Sequence, residues 1–281
     1  MEVVEPVIAG RVLEKGVPVM VFFSGFPDTY NSFDAMVPSF EKTHHIVKCI
    51  MPGFDKRRLP FKFIFGYPFE TIVDSLCLVI KPLLDNGSEV TICAHDWGAY
   101  IVQRFLCKYP TMPSKVILLD VGIDDMKGKT FRDLFFTFAY RFWLAFAFIP
   151  SIFLDFIGVL MLAIFPWRYI GPTPKEYNMP RSPLEIKGFM TYPYFQLFAS
   201  IVKCDKNLAP TFVKTVPTLF VYGKRKRVMF HGKSFLVDLG ATKGCEHHCF
   251  NCGHWVQTQK PDELCQLIKE WEERLHSGGR K

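Results

Sequence analysis

Asp96 stands at the centre of Ala94-His95-Asp96-Trp97-Gly98-Ala99, after the apolar run Glu89–Cys93 and before the helix-like Tyr100–Leu106. This spacing predicts a strand, a sharp turn and a helix, with a carboxylate at the apex of the turn and Gly98 leaving the turn room to close. A carboxylate nucleophile suits displacement at a saturated, electrophilic carbon. The product is an alkyl ester on the protein, which water must then cleave. An epoxide or an alkyl halide fits that chemistry better than an ester does. The competing role for Asp96 is a simple cap on the helix that follows.

Two further segments fall where the same chemistry needs them. Phe22-Phe23-Ser24-Gly25-Phe26-Pro27-Asp28 follows the apolar strand Val17–Val21 and reads as a loop offering backbone N–H groups. Cleaving an ester on Asp96 passes through a tetrahedral oxyanion, for which Trp97 and Phe26 are the candidate amide donors. Asn251-Cys252-Gly253-His254-Trp255-Val256-Gln257 lies before the predicted helix Pro261–Leu275 and supplies a base. An imidazole near neutrality can take a proton from the attacking water.

His95-Asp96-Trp97-Gly98-Ala99 and Gly253-His254-Trp255, in this chain order, resemble the α/β-hydrolase superfamily, in its epoxide hydrolase and haloalkane dehalogenase branch. The likeness runs from the first hairpin to Leu275 and is weakest in the middle third. Ser24-Gly25-Phe26-Pro27 departs from the family's His-Gly-x-Pro in its first residue, which a backbone donor tolerates. The larger departure follows Pro217–Tyr222, where the family strand ends in Gly-x-x-Asp and here Gly223 is followed by Lys224, Arg225 and Lys226. Lys226 occupies the position of the acid that orients the base. Some dehalogenases of this branch carry the acid after the strand behind the elbow helix, and Val116–Leu119 is followed there by Asp120. Asp120 is on this resemblance the replacement acid, against the plainer reading of a loop Asp that hydrogen-bonds backbone amides, with Asp124 and Asp125 as more distant candidates.

Strand-like and helix-like stretches alternate through Val17–Phe23, Ile46–Ile50, Phe69–Leu84, Val90–Ala94, Tyr100–Tyr109, Val116–Asp120 and Thr218–Tyr222, which predicts a mostly parallel central sheet flanked by helices. The 281 residues, 49% of them hydrophobic, suffice for one α/β core with an insertion. The family resemblance implies an α/β-hydrolase fold with a helical cap inserted after the sixth strand. The expected division is a first core segment over 1–124, the cap over 125–210 and a second core segment over 211–281. Phe131–Phe165 is nearly continuous aromatic and aliphatic sequence, and Pro166–Pro183 is rich in proline and polar residues.

In the family, the cap shapes an apolar pocket and two of its tyrosines hydrogen-bond the departing epoxide oxygen. Tyr192 or Tyr194 matches the second of these and Tyr140, more loosely, the first; ordinary packing is the alternative for each. Phe142–Leu154 and Phe156–Trp167 each fall short of a spanning helix, with Arg141, Pro150 and Asp155 interrupting any longer one. Peripheral membrane contact through the cap is the expectation. The net charge of +7 and Lys224–Arg227 would favour anionic lipid, against the plainer reading of a solvated basic loop.

Met1–Glu5 has neither a basic start nor an apolar core, so no secretory signal is expected. With nine cysteines, this suggests an intracellular protein with reduced thiols, cytoplasmic or peripherally membrane-associated. The cluster from Cys245 to His254 lacks the paired spacing of a zinc site. No cofactor, metal or nucleic-acid module is called for, and the expected partner is an apolar small molecule. The resemblance implies a hydrolase of epoxide hydrolase type working through an Asp96 ester and His254-activated water. A haloalkane dehalogenase-like hydrolase, and a hydrophobic-ligand-binding protein that has lost catalysis, are the alternatives.

Overall fold

The computed structural model describes residues 7–10, 14–55, 59–124, 129–164, 183–226 and 228–278. Seven strands form one sheet in the order β1-β3-β2-β4-β5-β6-β7. They are β1 Val7–Gly10, β2 Val19–Phe23, β3 His45–Cys49, β4 Val90–His95, β5 Lys115–Leu119, β6 Thr218–Gly223 and β7 Glu246–Phe250. β1 is antiparallel to β3, and every other pairing is parallel. Parallel neighbours require crossovers, which the helices supply. α1 (Phe69–Asp85) joins β3 to β4, α2 (Trp97–Lys108) joins β4 to β5, and α6 (Lys233–Ala241) joins β6 to β7.

The period-2 geometry of the strands divides the core into two layers. On β2, Val19, Val21 and Phe23 pack with Ile72, Leu76, Ile101 and Phe105 of α1 and α2. Met20 and Phe22 point to the other side, toward Leu264, Ile268 and Trp271 of α8 (Pro261–Gly278). Both faces of the sheet are thus covered, and the carboxyl ends of β2, β4, β5 and β6 carry the loops of interest.

The long insertion between β5 and β6 carries three α-helices among the described residues: α3 (Phe131–Ser151), α4 (Asp155–Ile164) and α5 (Tyr192–Val202). Five described strands precede it, one fewer than expected. Thr130 starts α3 with a reciprocal capping box to Asp133. The helix runs unbroken through Arg141 and accommodates Pro150 in its last turn, which corrects the expectation that these residues interrupt it. At 21 residues it is long and apolar enough to cross a membrane by length and composition. Its Leu144, Ala145, Ala147 and Phe148 are nevertheless buried in the protein. Most of the Pro166–Pro183 stretch, Asp125, Arg227 and Met1–Glu5 lie outside the described residues.

Candidate active site

The chain turns from β4 into α2 at Asp96 with φ 54° and ψ −123°. A non-glycine residue in that region is strained, and such strain is held where the surrounding packing fixes it. Gly98 permits the closure: a Cβ there would stand 2.3 Å from the Phe23 carbonyl oxygen. The Asp96 side chain makes no capping bond to α2, so the helix-cap role is not the one it plays.

The loop after β2 meets this carboxylate directly. The Phe26 amide donates to Asp96 Oδ1 at 2.8 Å. A Cβ on Gly25 would lie 2.4 Å from Trp97 N and 2.5 Å from Asp96 Oδ1, so the two expected amide donors and the carboxylate crowd around one point that only glycine leaves open. Ser24 turns away, its hydroxyl donating to the Cys49 carbonyl at 3.4 Å, which is why the change from histidine leaves the donor in place.

His254, in the loop after β7, sets Nε2 3.4 Å from Asp96 Oδ2 and bonds through Nδ1 to Asp120 Oδ2. Asp120 follows β5 with φ 67°. Its Oδ1 accepts from the Gly223 amide at 3.0 Å, at the end of β6. Lys226 does not lie in a solvated basic loop: its side chain is 2% exposed and its Nζ is 2.5 Å from Asp120 Oδ2. Lys224 and Arg225 remain exposed. Asp96, His254, Asp120 and Lys226 thus form a buried row of alternating charge.

The titration of each member follows from its neighbours. Burial pushes the Asp120 carboxyl up, but Lys226 and His254 outweigh it and hold the group well below the usual carboxylate range. Burial likewise opposes charge on His254, yet Asp120 and Asp96 raise it to about 9. Asp96 is lowered despite its burial by His254, His95 and the Trp97 amide. Burial lowers Lys226 in spite of Asp120. At neutral pH Asp96 and Asp120 are therefore carboxylates and His254 an imidazolium, with the Lys226 Nζ paired to Asp120.

A second network, absent from the expectations, fixes the His254 loop. Asp28 Oδ2 lies 3.2 Å from His95 Nδ1, and Asp28 Oδ1 accepts from Trp255 Nε1 at 3.0 Å. His95 Nε2 reaches the His254 carbonyl at 3.0 Å. Asp28, His95 and Trp255 all sit in the motif segments themselves. Their adjacency to Asp96, His254 and the Phe26 loop was the available signal.

Asp96 opens into a pocket of about 280 Å³, walled by Trp97, Tyr100, Tyr140, Arg141, Tyr194 and Phe230 among others. Tyr194 packs edge-on against Trp97 and Phe26, with ring centroids 5.0 and 5.4 Å apart, and Tyr140 lies 6.2 Å from Tyr194. Burial and the Asp96 charge push the Tyr194 phenol up, and burial does the same for Tyr140, so both remain hydrogen-bond donors. Arg141 Nε donates to the Tyr140 oxygen at 3.2 Å, which leaves the Tyr140 proton free for another acceptor. Tyr192 does not line this pocket. It lies between Tyr67 and Phe54 at 5.8 and 5.9 Å, and its buried hydroxyl has no hydrogen-bond partner among the described residues. Of the two tyrosines left open by the sequence, the structure brings Tyr194 to the pocket that Asp96 lines.

Sequence and structure comparisons agree with this architecture. A family model described as alpha/beta hydrolase fold matches residues 18–148. Epoxide hydrolase 3 of Mus musculus is 24% identical over 269 residues, covering 89% of this chain and 69% of the mouse protein. Epoxide hydrolase 1 of Caenorhabditis elegans is 23% identical over 270 residues, with 90% of this chain and 64% of the nematode protein covered. This chain therefore spans about two thirds of the length of both. Among solved structures, a Bacillus megaterium epoxide hydrolase in complex with an inhibitor superimposes with a TM-score of 0.64 at 18% identity, over 97% of this chain and 99% of that one. A haloalkane dehalogenase variant from Bradyrhizobium elkanii gives 0.64 at 14% identity, over 98% and 94%. The chain has an α/β-hydrolase fold, and the relatives and structural neighbours it is similar to include epoxide hydrolases and a haloalkane dehalogenase.

Proposed function

We propose that this α/β-hydrolase opens apolar epoxides through a covalent ester on Asp96. One observation carries the reading: the Phe26 amide hydrogen-bonds Asp96 Oδ1 at 2.8 Å while His254 Nε2 faces Oδ2 at 3.4 Å. Oxyanion donors aimed at the nucleophile's own carboxyl group are useful only if that group becomes the tetrahedral centre.

Asp96 Oδ2 attacks the less hindered epoxide carbon, the C–O bond breaks, and Tyr194 and Tyr140 hydrogen-bond the departing oxygen. The alkoxide takes up one proton, supplied in the balance by the His254 imidazolium. Forming the ester removes the Asp96 charge and its bond to Nε2, two of the interactions that hold the His254 proton, so the imidazole becomes a base at the step that needs one. His254 then takes a proton from water, whose oxygen bonds to the Asp96 carboxyl carbon. Phe26 and Trp97 amides stabilise the oxyanion. Its collapse expels the second alkoxide, which leaves as the diol with the carboxyl proton. Asp96 carboxylate and His254 imidazolium are restored.

The helical insertion acts in this scheme as the cap that walls the pocket. A haloalkane dehalogenase would need the same nucleophile and base, but no acid for the leaving group. The two phenols beside Asp96 favour the epoxide. Incubation with a lipophilic aryl epoxide and with a 1-bromoalkane, combined with the intact mass of His254→Gln, tests the reading. Diol release and a stoichiometric adduct on Asp96 are expected. Bromide release without diol would transfer the protein to the dehalogenase reading, and neither product nor adduct would mark a binding protein.

A further inference from the structure

α3 has two unlike faces. Thr137, Leu144, Ala145, Ala147, Phe148 and Ser151 are buried, whereas Phe131, Phe135, Phe138, Phe142, Phe146 and Ile149 are 85, 58, 58, 52, 51 and 44% exposed. With a helical turn every 3.6 residues, those six exposed positions fall within about 80° of one another. Their rings form a ladder, Phe138 on Phe142 at 5.9 Å and Phe142 on Phe146 at 6.3 Å.

α4 packs on the side of α3 away from this stripe, with Gly158 against Ser151 and the Ala147 carbonyl and Trp143 Nε1 donating to the Met161 carbonyl, so its exposed Phe156, Leu160 and Ile164 form a separate patch. Since a phenyl side chain offers about 150–250 Å² when bare, the exposed apolar area of the α3 stripe is about 500–800 Å². The largest apolar patch on an ordinary monomer is roughly 300–600 Å². Water contact over such an area is costly, so the face calls for an apolar covering.

Charge and continuity identify that covering. α3, α4 and α5 carry two acidic residues, and both are engaged with backbone: Asp133 in the Thr130 capping box and Asp155 as acceptor for the Phe189 amide. Arg132, Lys203 and Lys206 are exposed around the rim. The stripe also reaches the pocket mouth, because Phe198 of α5 touches both Phe138 and Phe142. Ile201, which lines the Asp96 pocket, is 51% exposed beside Val202 at 83%. A single apolar face with a basic rim matches a helix lying in the interfacial plane of a bilayer. The buried opposite face rules out a span, since lipid on all sides of α3 would strip Leu144 and Phe148 from the core.

We propose that the outer face of α3, continued by α5 toward the pocket mouth, is a membrane-contact surface that lies shallowly in a lipid bilayer, with anionic headgroups around Arg132, Lys203 and Lys206. The pocket mouth then opens beside the acyl region. Only the use of that route by an epoxide rests on the proposed reaction; the contact itself does not.

Vesicle flotation of the whole chain tests the contact, with pure phosphatidylcholine and with phosphatidylcholine containing phosphatidylserine. Binding is expected to both, tighter by about tenfold or more with phosphatidylserine and weakened by salt. Phe131→Ser/Phe135→Ser/Phe146→Ser should lower partitioning at least about tenfold while leaving circular dichroism and turnover of a water-soluble epoxide unchanged. Lys203→Glu/Lys206→Glu should abolish the phosphatidylserine preference alone. A wild-type chain that stays in the aqueous fraction, or a triple-Phe variant that binds like wild type, overturns the proposal. So does a concentration-dependent dimer that the triple variant abolishes without any vesicle binding, which would give the face to a second copy. Failure of wild type to turn over epoxides would sink the reaction and leave the flotation result standing by itself.

Discussion

Asp120→Asn is the perturbation that separates the two halves of the proposed cycle. Asp120 Oδ1 accepts from Gly223 N at 3.0 Å, and Oδ2 lies between His254 Nδ1 and Lys226 Nζ. An asparagine keeps the shape and can keep the Gly223 bond, but its NH₂ then faces two donors. The imidazole can satisfy that NH₂ only by accepting at Nδ1, which puts its proton on Nε2, where the proton of water must arrive. The same substitution in a Ser-His-Asp triad lowers kcat by about 10⁴, so ester hydrolysis should slow by about 10³–10⁴-fold. Alkylation depends on the Asp96 carboxylate and the phenols, and should change by no more than about tenfold. Rapid mixing with an epoxide, acid quench and intact-mass analysis should show a stoichiometric adduct on Asp96 followed by very slow diol release.

The substitution also strands a buried cation. Breaking one partner from a buried pair costs about 3–5 kcal/mol, and with an unfolding entropy of about 2 cal/mol/K per residue, this predicts a Tm about 5–9 °C lower. Asp120→Asn/Lys226→Met removes the stranded charge and should recover most of the Tm, but none of the hydrolysis rate. Diol formation by Asp120→Asn within tenfold of wild type, with no accumulated adduct, would refute the assignment of Asp120 as the orienting acid.

The His254 proton should also be visible in stability. Its folded pKa of about 9 lies above the ordinary 6.5, so it contributes about 3 kcal/mol, fully present below pH 6.5 and lost as pH rises through 9. The Tm of wild type should therefore fall about 5 °C more over that window than the Tm of His254→Gln, and parallel curves would disprove the raised pKa. On the acid side, the depressed Asp120 carboxyl contributes stability above its ordinary range and loses it only at lower pH. Tyr194→Phe and Tyr140→Phe should each slow alkylation by an epoxide about 10²-fold or more and leave alkylation by a 1-bromoalkane unchanged, whereas Tyr192→Phe should alter neither. Equal losses on both substrates would show that the phenols shape the pocket without donating to the leaving oxygen.

Local density decided what was legible in the chain. Asp96, Trp97 and Gly98 announce their turn because strand, elbow and helix are contiguous, and the Phe26 loop and His254 are read the same way. Tyr192 and Tyr194 were inseparable in sequence because both belong to one aromatic run. Once α5 begins at Tyr192, two positions correspond to about 200° around the helix axis, so one ring must face the core if the other faces Asp96. The continuous length of α3 was misjudged because Arg141 looks like an interruption. It is instead a pocket-facing group, and its neighbours Phe138, Phe142 and Phe146 occupy the outer stripe.

The partner of Lys226 was not legible at all, because it depends on sheet order and not on spacing. β5 and β6 are adjacent, with Leu119 in register with Val221 and the Asp120 amide bonded to the Val221 carbonyl. An acid at the end of either strand can therefore reach the same His254 nitrogen. With the carboxylate on β5, a second acid after β6 would place two like charges side by side in a buried site, which is strongly unfavourable. A cation there neutralises Asp120 and restrains how far that carboxylate raises His254. Lys226 at the usual acid position is on this account the counterpart of moving the acid, and Asp120→Asn/Lys226→Asp should restore ester hydrolysis relative to Asp120→Asn alone. Failure of that exchange, in a variant whose Tm matches wild type, would show that the two strand ends are not interchangeable.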